Sequence, residues 1–263
     1  MTLKEIYKKY DIYLRDFERL YRIQMNQRRY DVEFSTPRYF IFDDMYTIED
    51  ASWVSLLQKV VSYLQSRNPL DCSILFEYKT EWSNSYIFYD TPRNVNCKQV
   101  EDNLYITTNH TALHDLWLLQ DLLTLYGMDG SKCFCFIHKA NEYEPEEVRI
   151  AVEEHMKLCF SDFLRSKGLS NEQVDKTTKG IYSLNKILKK LNCSRNNIFL
   201  ADSRASYSNL KSLILTNYKK CVAWSDKQLA LAEKCLSYYS SFLKYYSESV
   251  LRINPWYDFS DRL

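Results

Sequence analysis

At 263 residues, with 46% apolar and 26% charged side chains, the chain has a globular composition and enough length to bury a core, which excludes a disordered protein. Its four glycines are Gly127, Gly130, Gly168 and Gly180, with none earlier, which excludes the Walker loop, the dinucleotide fingerprint, the kinase glycine loop and the nucleophile elbow. The polar start Met1-Thr2-Leu3-Lys4-Glu5 is no secretory segment, and the most apolar helical stretch, Leu113 to Tyr126, is interrupted by Asp115, Gln120 and Asp121; a soluble, cytoplasmic protein with no membrane partner is expected.

In chain order, Leu3, Ile6, Tyr10, Phe17 and Tyr21 recur at helical spacing and predict one long amphipathic helix over the first thirty residues. Tyr30–Phe34 and Arg38–Phe42 read as strands around a Ser35-Thr36-Pro37 turn. Asp50 is placed to cap a helix over 51–66. Cys72–Lys79, Ser85–Tyr89 and Asn103–Thr107 are β-branched and aromatic, and suggest an antiparallel meander. Asn109 caps a helix ending at Gly127, and Lys132–His138 reads as a last strand, with Cys133 and Cys135 on one face as buried free thiols.

From Pro145 onward the period is helical. Pro145 opens a helix that Gly168 closes, Ser170 starts a short one, and others are predicted over 178–192, 204–220 and 226–251. The expectation is therefore α+β: an N-terminal mixed or antiparallel sheet with packed helices over 1–140, followed by an all-helical domain over 141–263.

The near-neutral total conceals a segregated charge. Between Lys176 and Lys220 stand eight lysines and two arginines, opposed only by Asp202, a formal +9; since the whole chain carries +1, the remainder carries −8. On the 178–192 helix Ile181, Leu184, Ile187, Leu188 and Leu191 share one face, and Lys179, Lys186, Lys189 and Lys190 the other, with Lys176 just ahead. Ser183, Asn185, Asn192, Asn196, Asn197 and Tyr207 add neutral hydrogen-bonding groups nearby. Such a surface suits phosphate contact with DNA or RNA, carried by Lys176, Lys179, Lys186, Lys189, Lys190, Arg195, Arg204 and Lys211. A helix over Arg195–Ala201 capped by Ser194, then one presenting Arg204, Tyr207, Ser208 and Lys211, resembles a helix-turn-helix segment without its turn glycine. A solvated face, or one that meets an acidic protein, are the competing readings.

Catalytic constellations are weaker. His110 and His114 share a helix face without the glutamate of a zincin, so capping histidines are preferred to a metal site, with His138 the remaining candidate ligand. Glu77-Tyr78-Lys79 and Asp43-Asp44 are frequent strand and turn combinations. Arg149 and His155 match an R-x₅-H pattern, and with the helical C-terminal half this is similar to HEPN ribonucleases. That resemblance implies both side chains converging on RNA, whereas a continuous helix turns them about 120° apart. The tail Trp256-Tyr257-Asp258-Phe259 suits docking on its own domain or anchoring a partner. The sequence thus favours a nucleic-acid-contacting regulatory or accessory protein over an enzyme, with no metal or cofactor expected. A protein–protein interaction module (adaptor or inhibitor) and a HEPN-like ribonuclease using Arg149 and His155 are the alternatives.

Overall fold

The computed structural model describes all residues except 1–2, 16–17, 30, 83, 94–95, 192–196, 202–203, 222–223 and 254–263. The chain divides into two compact units, Leu20–Lys139, and Met1–Arg19 with Ala140–Leu263. The class is α+β: an antiparallel five-stranded sheet lies in the N-terminal half and most helices in the C-terminal half.

The predicted N-terminal helix is short. α1 covers Leu3–Tyr10 and stops at Asp11, whose φ of 53° leaves the helical region. β1 (Ile12–Arg15) and β2 (Glu18–Gln24) follow. Tyr21, which fits the helical stripe, instead pairs antiparallel with Ile137 of β8 (Phe134–Lys139). Ladder pairing with a distant strand overrides the local period here.

The sheet runs in the order β1-β2-β8-β3-β4, with β3 at Ser35–Ile41 and β4 at Thr47–Glu49. Ser35, Thr36 and Pro37 are therefore not a turn; they belong to β3, and the register shifts between Pro37 and Tyr39. The irregularity lets an interior strand hold a residue that cannot donate to the ladder. Of the predicted run before it, 31–34 form turns.

α2 (Trp53–Arg67) is capped by Ser52, while Asp50 accepts from the Ser52 N–H and the Ser55 hydroxyl. α2 packs on β3, β4 and α4 (Ala112–Leu125), burying Leu56, Leu57, Val60 and Val61. The stretch read as strand over Cys72–Lys79 is α3 (Cys72–Glu77), because the Asp71 carboxylate accepts from the Ser73 N–H and fixes a helical start. Its place in the smaller sheet is taken by β6 (Cys97–Glu101), giving the order β5-β7-β6 with β5 at Phe88–Tyr89 and β7 at Leu104–Thr107. Thr111, not Asn109, caps α4, and Gly127 follows its end with φ +71°.

In the other unit α5 (Glu146–Ser166) begins after Pro145, and Gly168 follows with φ +82°. α6 (Asn171–Lys190), α7 (Arg204–Cys221) and α8 (Asp226–Ile253) complete a bundle around Phe160, Leu184, Phe199, Leu236, Tyr239 and Phe242. The two helices expected over 170–192 are one, since Gly180 does not end α6. It lets α8 approach: a Cβ on Gly180 would lie 2.6 Å from the Cys235 Sγ. Among the described residues no helix is long and apolar enough to cross a membrane.

Candidate nucleic-acid interface

α6 opens with a full capping box, Ser170 and Gln173 each bonding the other's backbone N–H. Val174, Ile181, Leu184, Ile187 and Leu188 are buried, and α6 packs on α5, α7 and α8. That packing fixes which face is left to water. Lys176, Lys179, Lys186, Lys189 and Lys190 are all exposed. They occupy an arc of about 140° and about 21 Å of helix axis.

Charge is not uniform along this arc. Glu172 and Asp175 stand at its N-terminal end, and Asp175 holds the Lys179 ammonium at 2.6 Å. Lys189 and Lys190 lie in the last turn, so the charges complement the helix dipole. Lys190 also donates to the Cys221 carbonyl at 3.1 Å, which ties the end of α6 to the end of α7. Lys176, Lys186 and Lys189 form no ion pair with the described residues.

The remaining residues of the expected contact set are distributed differently. Lys211 is half-buried on α7. Arg195 and the Arg204 side chain lie outside what is described, as do Asn192, Asn196 and the Trp256–Phe259 tail. The expected Arg195–Ala201 helix is corrected to a 3-10 turn, Ile198–Leu200, fully buried and capped by Asn197. A turn with three buried side chains is a core plug, not the central helix of a reader.

Of the described neutral groups expected beside the lysines, Asn185 and Tyr207 are buried, Asn197 is half-buried and Ser183 is exposed. Tyr207 is 4% exposed and its hydroxyl donates to the Leu236 carbonyl. The Asn185 amide donates to Asn197 Oδ1 at 2.8 Å, and its oxygen accepts from the Ile198 N–H at 2.9 Å. Asn197 passes the chain on to Glu153 Oε2 at 2.8 Å. These are buried and half-buried polar groups satisfying one another.

The histidines do not converge. His114 stacks on Trp82, with ring centroids 5.0 Å apart. His110 instead places Nδ1 3.1 Å from the buried Asp115 carboxylate and Nε2 3.0 Å from the Thr107 hydroxyl. Hydroxyl, imidazole and carboxylate stand in the order of an acyl-transfer triad. The sequence reading missed this set, although its T-x₂-H-x₄-D spacing spans one strand–helix junction. The network clamps the end of β7 to the first turn of α4. Among the described residues no group of three or more His, Cys, Asp or Glu side chains is arranged to hold a metal ion.

The acidic pair Asp43-Asp44 has cationic and phenolic partners, and so does Asp121. Asp44 takes Arg67 at 2.7 Å and the Tyr63 hydroxyl, and Asp43 takes Arg67 at 3.3 Å. Asp121 takes Arg28 and the Tyr78 hydroxyl, each at 2.7 Å. Cys133 and Cys135 are both buried, and burial raises both thiols, Cys133 to about 11, so neither is a ready thiolate.

α5 is unbroken between Arg149 and His155, so the two are not brought together. The His155 Nε2 lies 2.9 Å from the Tyr246 hydroxyl and 3.5 Å from the Cys159 Sγ, and burial lowers the histidine pKa. His155, Tyr246, Tyr7 and Arg19 line a cavity of about 20 Å³. That is room for a water molecule, far below the ~300 Å³ of a small-molecule site.

No protein-family model, no curated protein and no solved structure matches the chain.

Proposed function

We propose that the chain is a nucleic-acid-contacting regulatory or accessory protein that binds phosphates through the outer face of α6. One observation carries the reading: Lys176, Lys186 and Lys189 stand in water on one arc, without an ion pair among the described residues. Exposed ammonium groups with mobile counterions release them to a polyphosphate, which is the main source of sequence-independent affinity. An isolated solvated lysine needs no partner, but three on one helix face, with Lys190 beside them, set up a local positive field.

The test is retention of the purified full chain on a DNA or RNA column at about 50 mM salt, where counterion release is strong. Wild type is retained, and the triple variant K186E/K189E/K190E elutes in the void with an unchanged circular dichroism spectrum. Equal elution of the two proteins refutes the reading.

A protein-interaction role is the second reading, and Ile150 and Leu158 favour it. Both are on α5, exposed by 51% and 65%. They stand about 12 Å apart along the helix and about 80° around it, on the side of α5 left to solvent. Co-purification of a stoichiometric protein, lost in I150E/L158E, supports that reading over the first.

A further inference from the structure

We infer that Thr107, His110 and Asp115 form an acyl-transfer site, at which a carboxylic ester acylates Thr107 and His110 is the general base. All three lie in the unit Leu20–Lys139, so the inference goes beyond the α6 reading and does not depend on it.

The tautomer follows from burial. The Asp115 side chain is 2% exposed, and a carboxyl group so far from water needs a donor. His110 Nδ1, at 3.1 Å, supplies it. An ionised carboxylate only accepts, so the ring proton sits on Nδ1 and the Nε2 lone pair of the neutral imidazole is an acceptor. The Thr107 hydroxyl, 3.0 Å from Nε2, is then the donor there. In this arrangement the imidazole can take a hydroxyl proton while the carboxylate stabilises the imidazolium that forms. A mere clamp between β7 and α4 needs no titratable ring between its two ends.

The frame around the three groups is rigid. Thr107 pairs with Cys97 of β6, and its N–H donates to the Ile87 carbonyl at 3.0 Å. Thr108 donates its N–H and its hydroxyl to the Asn96 carbonyl, at 2.7 and 2.6 Å. Asp115 belongs to the first turn of α4, fixed by the Thr111 cap. Thr107 is half-buried, which leaves its hydroxyl to a small ester, while the His110 side chain is 9% exposed and shielded from competing water. The positive end of α4 favours the negative charge that develops on the ester's carbonyl oxygen.

In the reaction Thr107 Oγ1 attacks the carbonyl carbon and its proton passes to His110 Nε2. The ester C–O bond breaks, and the departing alcohol carries that proton away. Water then attacks the acyl-threonine by the same route, releasing a carboxylic acid and restoring the hydroxyl.

The experiment treats the full chain with p-nitrophenyl acetate, follows p-nitrophenol release, and maps acetyl groups by peptide mass spectrometry. Wild type is expected to carry acetyl on Thr107. T107S, which lacks the hindering methyl, reacts at least as fast, and T107V carries none there. H110Q is slower by about 100-fold or more. Asp115 is a positioning residue: D115N turns an amide N–H towards Nδ1 and moves the ring proton to Nε2, which the nitrogen NMR spectrum of His110 reports, and acetylation falls with it. Wild type acetylated on lysines with Thr107 unmodified overturns the inference, whether or not any variant folds. So does a D115N protein that acetylates Thr107 at the wild-type rate after the ring proton has moved.

Discussion

Arg19 and Glu144 meet with their charges removed from water, whereas Lys186, Lys189 and Lys190 stand in it. The guanidinium Nε lies 2.6 Å and Nη2 2.8 Å from the two carboxylate oxygens, and the side chains are 3% and 0% exposed. Beside them, burial pushes the Tyr7 phenol up to about 12. The pair is bidentate and each charge is matched, as desolvation demands. The α6 lysines bear no such demand, because water solvates each ammonium. Charge in this unit therefore has two settings: where it is buried it is neutralised by a matched partner, and where it is exposed water solvates it.

Breaking the buried pair has the largest expected effect. Glu144→Ala leaves Arg19 buried and unpaired and is expected to cost about 3–5 kcal/mol in urea unfolding, whereas R19M/E144L recovers most of that loss. Equal stability of E144A and wild type would place Arg19 in solvent and remove the contrast. Next comes the inner face of α6. Gly180→Ala gains about 1 kcal/mol of helix propensity but forces a methyl onto Cys235, an overpacking cost of about 1–3 kcal/mol, so a net loss near 1 kcal/mol is expected. G180A/C235A, without the sulfur, should be more stable than G180A alone.

His155 sharpens the comparison through pH. Its folded pKa is depressed by burial, so the neutral ring is the folded form. As pH falls through the ordinary histidine value of about 6.5, the unfolded chain takes up the proton first and stability is lost, until the folded ring itself protonates. Unfolding midpoints at pH 7.5 and 5.5 should therefore differ more for wild type than for His155→Gln. The smallest effect on folding belongs to the lysines. Each single Lys→Gln change at 186, 189 or 190 should alter stability by no more than about 0.5 kcal/mol. A larger loss would show the outer face to be structural.

The helical half was largely legible in the amino-acid order. Pro145 and Gly168 bracket α5, the apolar stripe of Ile181, Leu184 and Leu188 set which face of α6 is buried, and the lysines followed opposite it. Gly180 misled because its reason is tertiary: nothing near it in sequence announces Cys235. Tyr21 misled for the same kind of reason, its partner being Ile137. At Cys72 the local signal was present, since Asp71 is a good cap, but the β-branched and aromatic run after it outweighed that cue. At the candidate site the exposed ammonium groups were legible from periodicity. The inward turn of Asn185, Asn197 and Tyr207 was not, because polarity alone does not tell a surface amide from one bonded inside.

The separation of Arg19 from Glu144 also bears on biogenesis. The guanidinium is synthesised 125 residues before the carboxylate that neutralises it. During translation at about 5–20 residues per second, the first segment waits roughly 6–25 s for its complement to be polymerised. Until then Arg19 stays hydrated, so the segment around it reaches its final burial only after Glu144 has been polymerised. Ribosome-stalled nascent chains ending before and well after Glu144 should differ in how readily a protease cuts near Arg19.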